Sequence, residues 1–179
     1  MTKEICYDSR IDRCRRRYGV KPQEWANESG VDRKVLIRYR SGELVPGVAN
    51  LAKLVLGLWR ITGLPIRASE LYDLGESEPL GRKTQNRCNT PFKGKRFATR
   101  FDRFLALRGI NPTCLAAAIP TTRQTIYKKR SGAESFTIRQ IERVVRTLRR
   151  MGYDVRASYI VDVGEDVQHE ERASARWRR

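Results

Sequence analysis

The chain has 179 residues, 40% of them hydrophobic, and carries 37 Lys+Arg against 20 Asp+Glu for a net charge of +17. That length allows one ordinary domain or two small ones, and so strong a basic excess points to a polyanionic partner, with nucleic acid first among them. A single His and four Cys without C-x-x-C spacing argue against a tetrahedral zinc site; no charged-then-apolar leader is expected, and no apolar run is long enough to span a bilayer.

Residues 1–9 are polar, and a frayed start is expected. From Ile11 to Tyr18 a helix is expected, with Ile11, Cys14 and Tyr18 on one stripe of a very cationic stretch, RIDRCRRRYG. The segment Pro22–Gly42, PQEWANESGVDRKVLIRYRSG, then returns ungapped as PTCLAAAIPTTRQTIYKKRSG at Pro112–Gly132. Each copy reads as a short helix, a tight turn and a second helix closed by Ser-Gly. In the first copy Trp25, Ala26, Val31, Leu36 and Tyr39 are the inward positions. Gly30 supplies the turn, where a residue without Cβ takes positive φ freely. Asp32 caps the second helix, and Gly42 suits a left-handed C-terminal cap. Arg33, Lys34, Ile37 and Arg38 remain on the outward face.

Val48, Leu51, Ala52, Val55, Leu58 and Trp59 recur at intervals of three and four, the mark of a buried helical stripe. RASELYDLGE at 67–76 reads as a last short helix with Leu71 and Leu74 turned inward. Residues 77–99 lack any apolar period and are broken by Pro79, Gly81, Pro91 and Gly94, so they read as a basic linker. As flexible coil, its roughly 23 residues span about 25 Å r.m.s.. Its cations Arg82, Lys83, Arg87, Lys93, Lys95 and Arg96 either follow a nucleic-acid backbone or solubilise a tether. The second copy opens at Phe101, with Phe104 and Leu105 making its first helix more apolar. Ile138, Ile141, Val145 and Leu148 repeat the buried stripe, and RASYIVDVGE at 156–165 matches the close of the first copy. Arg139, Arg143, Arg146, Arg149 and Arg150 crowd the outer side of that helix as a phosphate-binding shoulder or a solvated face. The tail 166–179 alternates charges and is expected to be disordered.

The expectation is therefore an all-α chain with two tandem five-helix domains at 10–76 and 100–165, a linker at 77–99 and the tail. Each domain, at about 65 residues, lies near the lower limit for a single core. At Pro22–Gly42 and, more loosely, at Pro112–Gly132, the chain resembles the Cro/repressor-like (XRE-type, lambda-repressor-like) helix-turn-helix regulators and their L-A-x-x-x-G-[IV]-x-x-x-x-[IL]-x-x-x-x-x-G run. The resemblance implies duplex DNA as partner, no cofactor, and a cytoplasmic, nucleoid-associated protein of bacterial, phage or mobile-element type. It implies base reading in the major groove by Arg33, Lys34, Ile37 and Arg38, and by Arg123, Gln124, Tyr127 and Lys128. Arginine and lysine suit guanine, glutamine suits adenine, and Ile37 suits a thymine methyl. Because the two sets differ, two unlike half-sites are expected from one monomer acting as a pseudo-dimer, or from a homodimer. Arg40 and Arg130, at the helix ends, are expected to clamp phosphates, with Gln23 and Thr113 as further phosphate contacts. The family's first helix runs over the sugar-phosphate backbone, which would give Arg15, Arg16 or Arg17 the same role.

Two departures stand out in the second copy. Pro120 replaces the turn glycine and cannot take positive φ, and Lys129 falls where the first copy has Tyr39. Either that copy turns differently, its lysine snorkelling along its stem, or it has drifted from reading bases toward packing or partner binding. Retained DNA contact is expected, since its surface is the more basic one. The function expected is sequence-specific DNA binding by a transcriptional regulator, a repressor ahead of an activator. The alternative is a protein-binding module of the anti-activator or antitoxin-like kind. No His-based dyad, metal cluster or phosphate-cradling glycine loop suggests an enzyme.

Overall fold

The computed structural model describes residues 6–81, 96–165 and 168, and all regular secondary structure among them is helical. The stretch from 82 to 95, which holds Cys88 and most of the linker cations, lies outside the described residues, as do residues 1–5 and the tail apart from Gln168. The chain forms two compact units. The first comprises residues 1–73 with 162–179, and the second comprises 74–161.

The first unit begins with α1 (Arg10–Arg17), capped by the Ser9 hydroxyl, which accepts from the Asp12 N–H. α2 (Pro22–Ser29) starts on a proline, whose fixed φ suits the first helical position. It ends at Gly30, φ 62°. α3 (Arg33–Ser41) is capped by Asp32, which accepts from the N–H groups of Lys34 and Val35, and it closes at Gly42 with φ 81°. All three local devices stand where the sequence puts them. α4 (Val48–Thr62) is the central helix, packed along α2. It buries Leu51, Leu54, Val55 and Leu58 fully, whereas Val48, Ala52 and Trp59 are half-buried. α2 and α4 cross so closely at Gly57 that a Cβ there would lie 2.8 Å from the Ser29 Cβ. Trp25 fills the middle of this core, and its Nε1–H donates to the Leu54 carbonyl at 3.0 Å. The short α5 (Ala68–Leu71) completes the element order.

The second unit repeats that order with α6 (Arg100–Leu107), α7 (Pro112–Ala118), α8 (Arg123–Ser131), α9 (Ile138–Arg150) and a 3-10 turn at Ala157–Tyr159. Thr99, Asn111, Thr122 and Thr137 cap its four α-helices with side-chain oxygens. The turn between α7 and α8 does differ from its counterpart. α7 stops at Ala118, one residue early by comparison with α2, because Pro120 cannot take the left-handed conformation. Ile119 instead leaves the helix extended, at φ −102° and ψ 134°.

The expected linker and the expected repeat ends are used in an unexpected way. Residues 77–81 pack in the second unit. There the Arg149 Nε–H donates to the Glu78 carbonyl at 2.5 Å, and the Gly81 N–H donates to the Arg149 carbonyl at 2.8 Å. The spatial units also depart from the repeats at their closing stretches, since 74–76 lie in the second unit and 162–165 in the first.

Candidate nucleic-acid interface

On α3 the helical period resolves into two faces. Leu36 and Tyr39 are buried, and the Tyr39 hydroxyl accepts from Asn50 at 2.9 Å. Arg33, Lys34, Ile37 and Arg38 are all exposed, Ile37 at 36%. An isoleucine left that open on a cationic face is either idle or set to meet an apolar group of a partner. Arg38 has only a loose pairing, 3.8 Å to Glu43 with both side chains more than half exposed, so solvent screens it and it is easily redirected. Gln23, at the start of α2, is exposed and bonds Asn27 at 3.0 Å.

α8 presents the corresponding face. Arg123, Gln124, Tyr127 and Lys128 are exposed, with Tyr127 at 42%. Here the side chains organise one another. The Tyr127 ring has the guanidiniums of Arg123 and Arg130 each 5.4 Å from its centroid, and Arg123 donates to the phenol oxygen at 3.3 Å. That hydrogen bond, with the nearby positive charge, holds the Tyr127 pKa below its usual value. Thr113 is exposed at the start of α7.

Compared with protein-family models, with curated proteins and with solved structures, the chain matches none. What the site can do has therefore to be read from its own geometry.

That geometry corrects the role expected of Arg40. Its side chain is 5% exposed, and its Nε–H donates at 2.6 Å to Oδ1 of Asp12, a carboxylate with no solvent exposure. Asp12 is a hub. Arg15 donates to the same oxygen at 3.0 Å, while the Tyr7 N–H at 2.9 Å and Arg16 at 3.4 Å approach the other. Burial pushes this carboxyl up, but the donors, led by Tyr7 and then Arg40 and Arg15, outweigh it and leave the pKa lowered. Arg40 is thus a brace from α3 to α1, and as placed it has no face left for a phosphate. Arg15 is buried in the same network and also donates to the Val20 carbonyl. Of the three α1 arginines expected near phosphate, Arg17 is the most open, at 74%, and its nearest carboxylate, Glu70, is 3.7 Å away.

The second unit repeats the brace, with Arg130 donating to Asp102 Oδ1 through Nε at 2.8 Å and Nη2 at 2.6 Å. This pair is less enclosed, at 27% and 18% side-chain exposure, so Arg130 keeps an open edge toward Tyr127. Sequence reasoning misses the brace, yet a signal is present: an Asp on the first helix and an Arg on the third recur at the same separation in both copies.

Lys129, in the Tyr39 position, is 3% exposed. Its ammonium reaches Glu134 and the Ser135 carbonyl and lies 5.2 Å from the Phe136 ring centroid. Beside it lies a cleft of about 190 Å³ lined by Ile119, Pro120, Ile126, Lys129 and Phe136, with Arg143 among its lining residues. On the outer side of α9, Arg146 pairs with Glu142, Arg149 with Asp154 and Arg150 with Glu78, which commits most of the arginine shoulder to local carboxylates.

Proposed function

We propose that the chain is a sequence-specific double-stranded-DNA-binding transcriptional regulator made of two Cro/repressor-like five-helix units, a binding protein and not an enzyme. Its plain mode of action is repression by occluding a promoter. One observation carries this reading. On both α3 and α8 the same four outward positions are exposed and rich in hydrogen-bond donors, while the inward positions are buried and an Arg–Asp brace fixes the helix against the first helix of its unit. A rigid helix presenting cationic and amide side chains along one face is what the major groove accepts. Guanine N7 and O6 suit Arg33, Lys34, Arg38 and Arg123; adenine suits Gln124; Ile37 and the edge of Tyr127 offer apolar surface to thymine methyls. In this reading Gln23, Thr113 and Arg17 contact phosphate.

Selection of bound duplexes from a randomised library tests the reading directly. It should return a site with two unlike halves, and Arg33→Ala should relax one base position by about 1–3 kcal/mol while leaving the others read. Affinity should fall steeply with salt. Equal binding of selected and random duplexes would refute specific recognition.

The cleft beside Pro120 and Lys129 favours a second reading, in which α7 and α8 grip a protein and the DNA surface of that unit is secondary. A stoichiometric protein complex, with no duplex retained at moderate salt, would select it.

A further inference from the structure

The two repeats close with matching stretches, Leu74-Gly75-Glu76 and Val163-Gly164-Glu165, and each of these lies in the unit built mainly from the other repeat. In the first unit, Glu165 Oε1 accepts from the Ala68 N–H at 2.9 Å, at the start of α5. In the second, Glu76 Oε1 accepts from the Ala157 N–H at 2.9 Å, at the start of the 3-10 turn. Ala68 and Ala157 are themselves equivalent in the repeat. The glycines agree as well: a Cβ on Gly164 would lie 2.7 Å from the Ala52 carbonyl oxygen on α4, and one on Gly75 would lie 2.7 Å from the Glu142 carbonyl oxygen on α9. Both take positive φ, 82° and 78°, so a side chain is opposed by the backbone and by the neighbouring helix. Leu74 and Val163 are fully buried. Gln168 then fixes the first unit's borrowed stretch, accepting from the Ile66 N–H at 3.1 Å and donating to the Ile66 carbonyl at 3.0 Å.

We infer that each unit carries a groove for an apolar–Gly–Glu segment, formed by α4 with α5 in one case and by α9 with the 3-10 turn in the other, and that its obligate occupant is the closing segment of the sister repeat. Neither unit is complete without the other half of the chain, and the covalent link through residues 82–95 is dispensable for keeping the halves together. This goes beyond the DNA-binding reading, and its test involves no DNA.

The test uses the full chain with a site-specific protease sequence inserted between Asn89 and Thr90, cut after folding. The nicked halves should co-elute on size exclusion under native conditions, and Glu165→Ala with Glu76→Ala should raise their dissociation constant at least tenfold, roughly 1.4 kcal/mol. Gly164→Val with Gly75→Val should abolish co-elution. If the glycine variants do not fold, the glutamate pair alone decides the matter. Halves that separate at once overturn the inference, and so do halves that stay together with an unchanged constant in the glutamate variant.

Discussion

Replacing Asp12 by alanine is the sharpest probe of what orients α3. The carboxylate has no solvent exposure, and Arg15 and Arg40, each 4% exposed, both donate to Oδ1. Its removal takes the shared carboxylate from two buried guanidiniums, and breaking a buried pair in this one-sided way costs about 3–5 kcal/mol. A unit of this size is stabilised by about 5–14 kcal/mol in total, so from about a fifth of its stability to all of it depends on one side chain. At a urea slope near 1.5 kcal/mol per M, the midpoint should fall by about 2–3 M. Trp25 and Trp59 both belong to the first unit, so tryptophan fluorescence in a Trp177→Phe background reports that unit directly. The matched control is Asp102→Ala. Its partner Arg130 is 27% exposed and can rehydrate, so the cost there should be about 1–2 kcal/mol, read by hydrogen exchange of α6 and α8. A loss below about 1 kcal/mol for Asp12→Ala, the ceiling for an exposed pair, would refute the account of a buried hub.

The same carboxyl sets an acid limit. Its pKa is lowered on folding, so its contribution is present above the unfolded value of about 3.9 and is lost as pH falls through the lower folded value. The first unit should therefore weaken below about pH 4, and Asp12→Asn should flatten that dependence in acid-unfolding curves. Gly57→Ala gains about 1 kcal/mol of helix propensity. It also drives a methyl to 2.8 Å from the Ser29 Cβ, an overpacking cost of about 1–3 kcal/mol, so thermal melts should show a net loss. Lys129→Met removes a buried ammonium and leaves Glu134, 44% exposed, free to rehydrate. Calorimetry should find the second unit as stable as before or more so, whereas clear destabilisation would mean that the lysine is structurally required.

The turn chemistry is legible in the sequence because it is local. Gly30, Asp32 and Gly42 act within a few residues of themselves, and the structure uses each as its spacing implies. The inward positions Trp25, Leu36 and Tyr39 follow from helical period alone. Arg40 and Arg15 mislead for the opposite reason. A cationic helix face looks solvated until a carboxylate from another helix is known to sit inside it, and periodicity carries no information about which charge a buried Asp will select. The stripe of α4 emerges only partly from its spacing. Leu54 and Gly57 face the closely crossing α2, a neighbour that a single-helix pattern does not reveal. The repeat match correctly pairs the two closing stretches, but an internal match is indifferent to which unit receives which copy.

The path of the chain also sets an order of assembly. The second unit is one continuous run, whereas the first needs Val163, Gly164, Glu165 and Gln168, which are synthesised last among the described residues. At about 5–20 residues per second on the ribosome, the first unit waits on the order of 5–20 s for its missing piece. The repeat translated first is thus the one finished second, and an arrested nascent chain lacking residues beyond 161 would hold a completed later unit behind an unfinished earlier one.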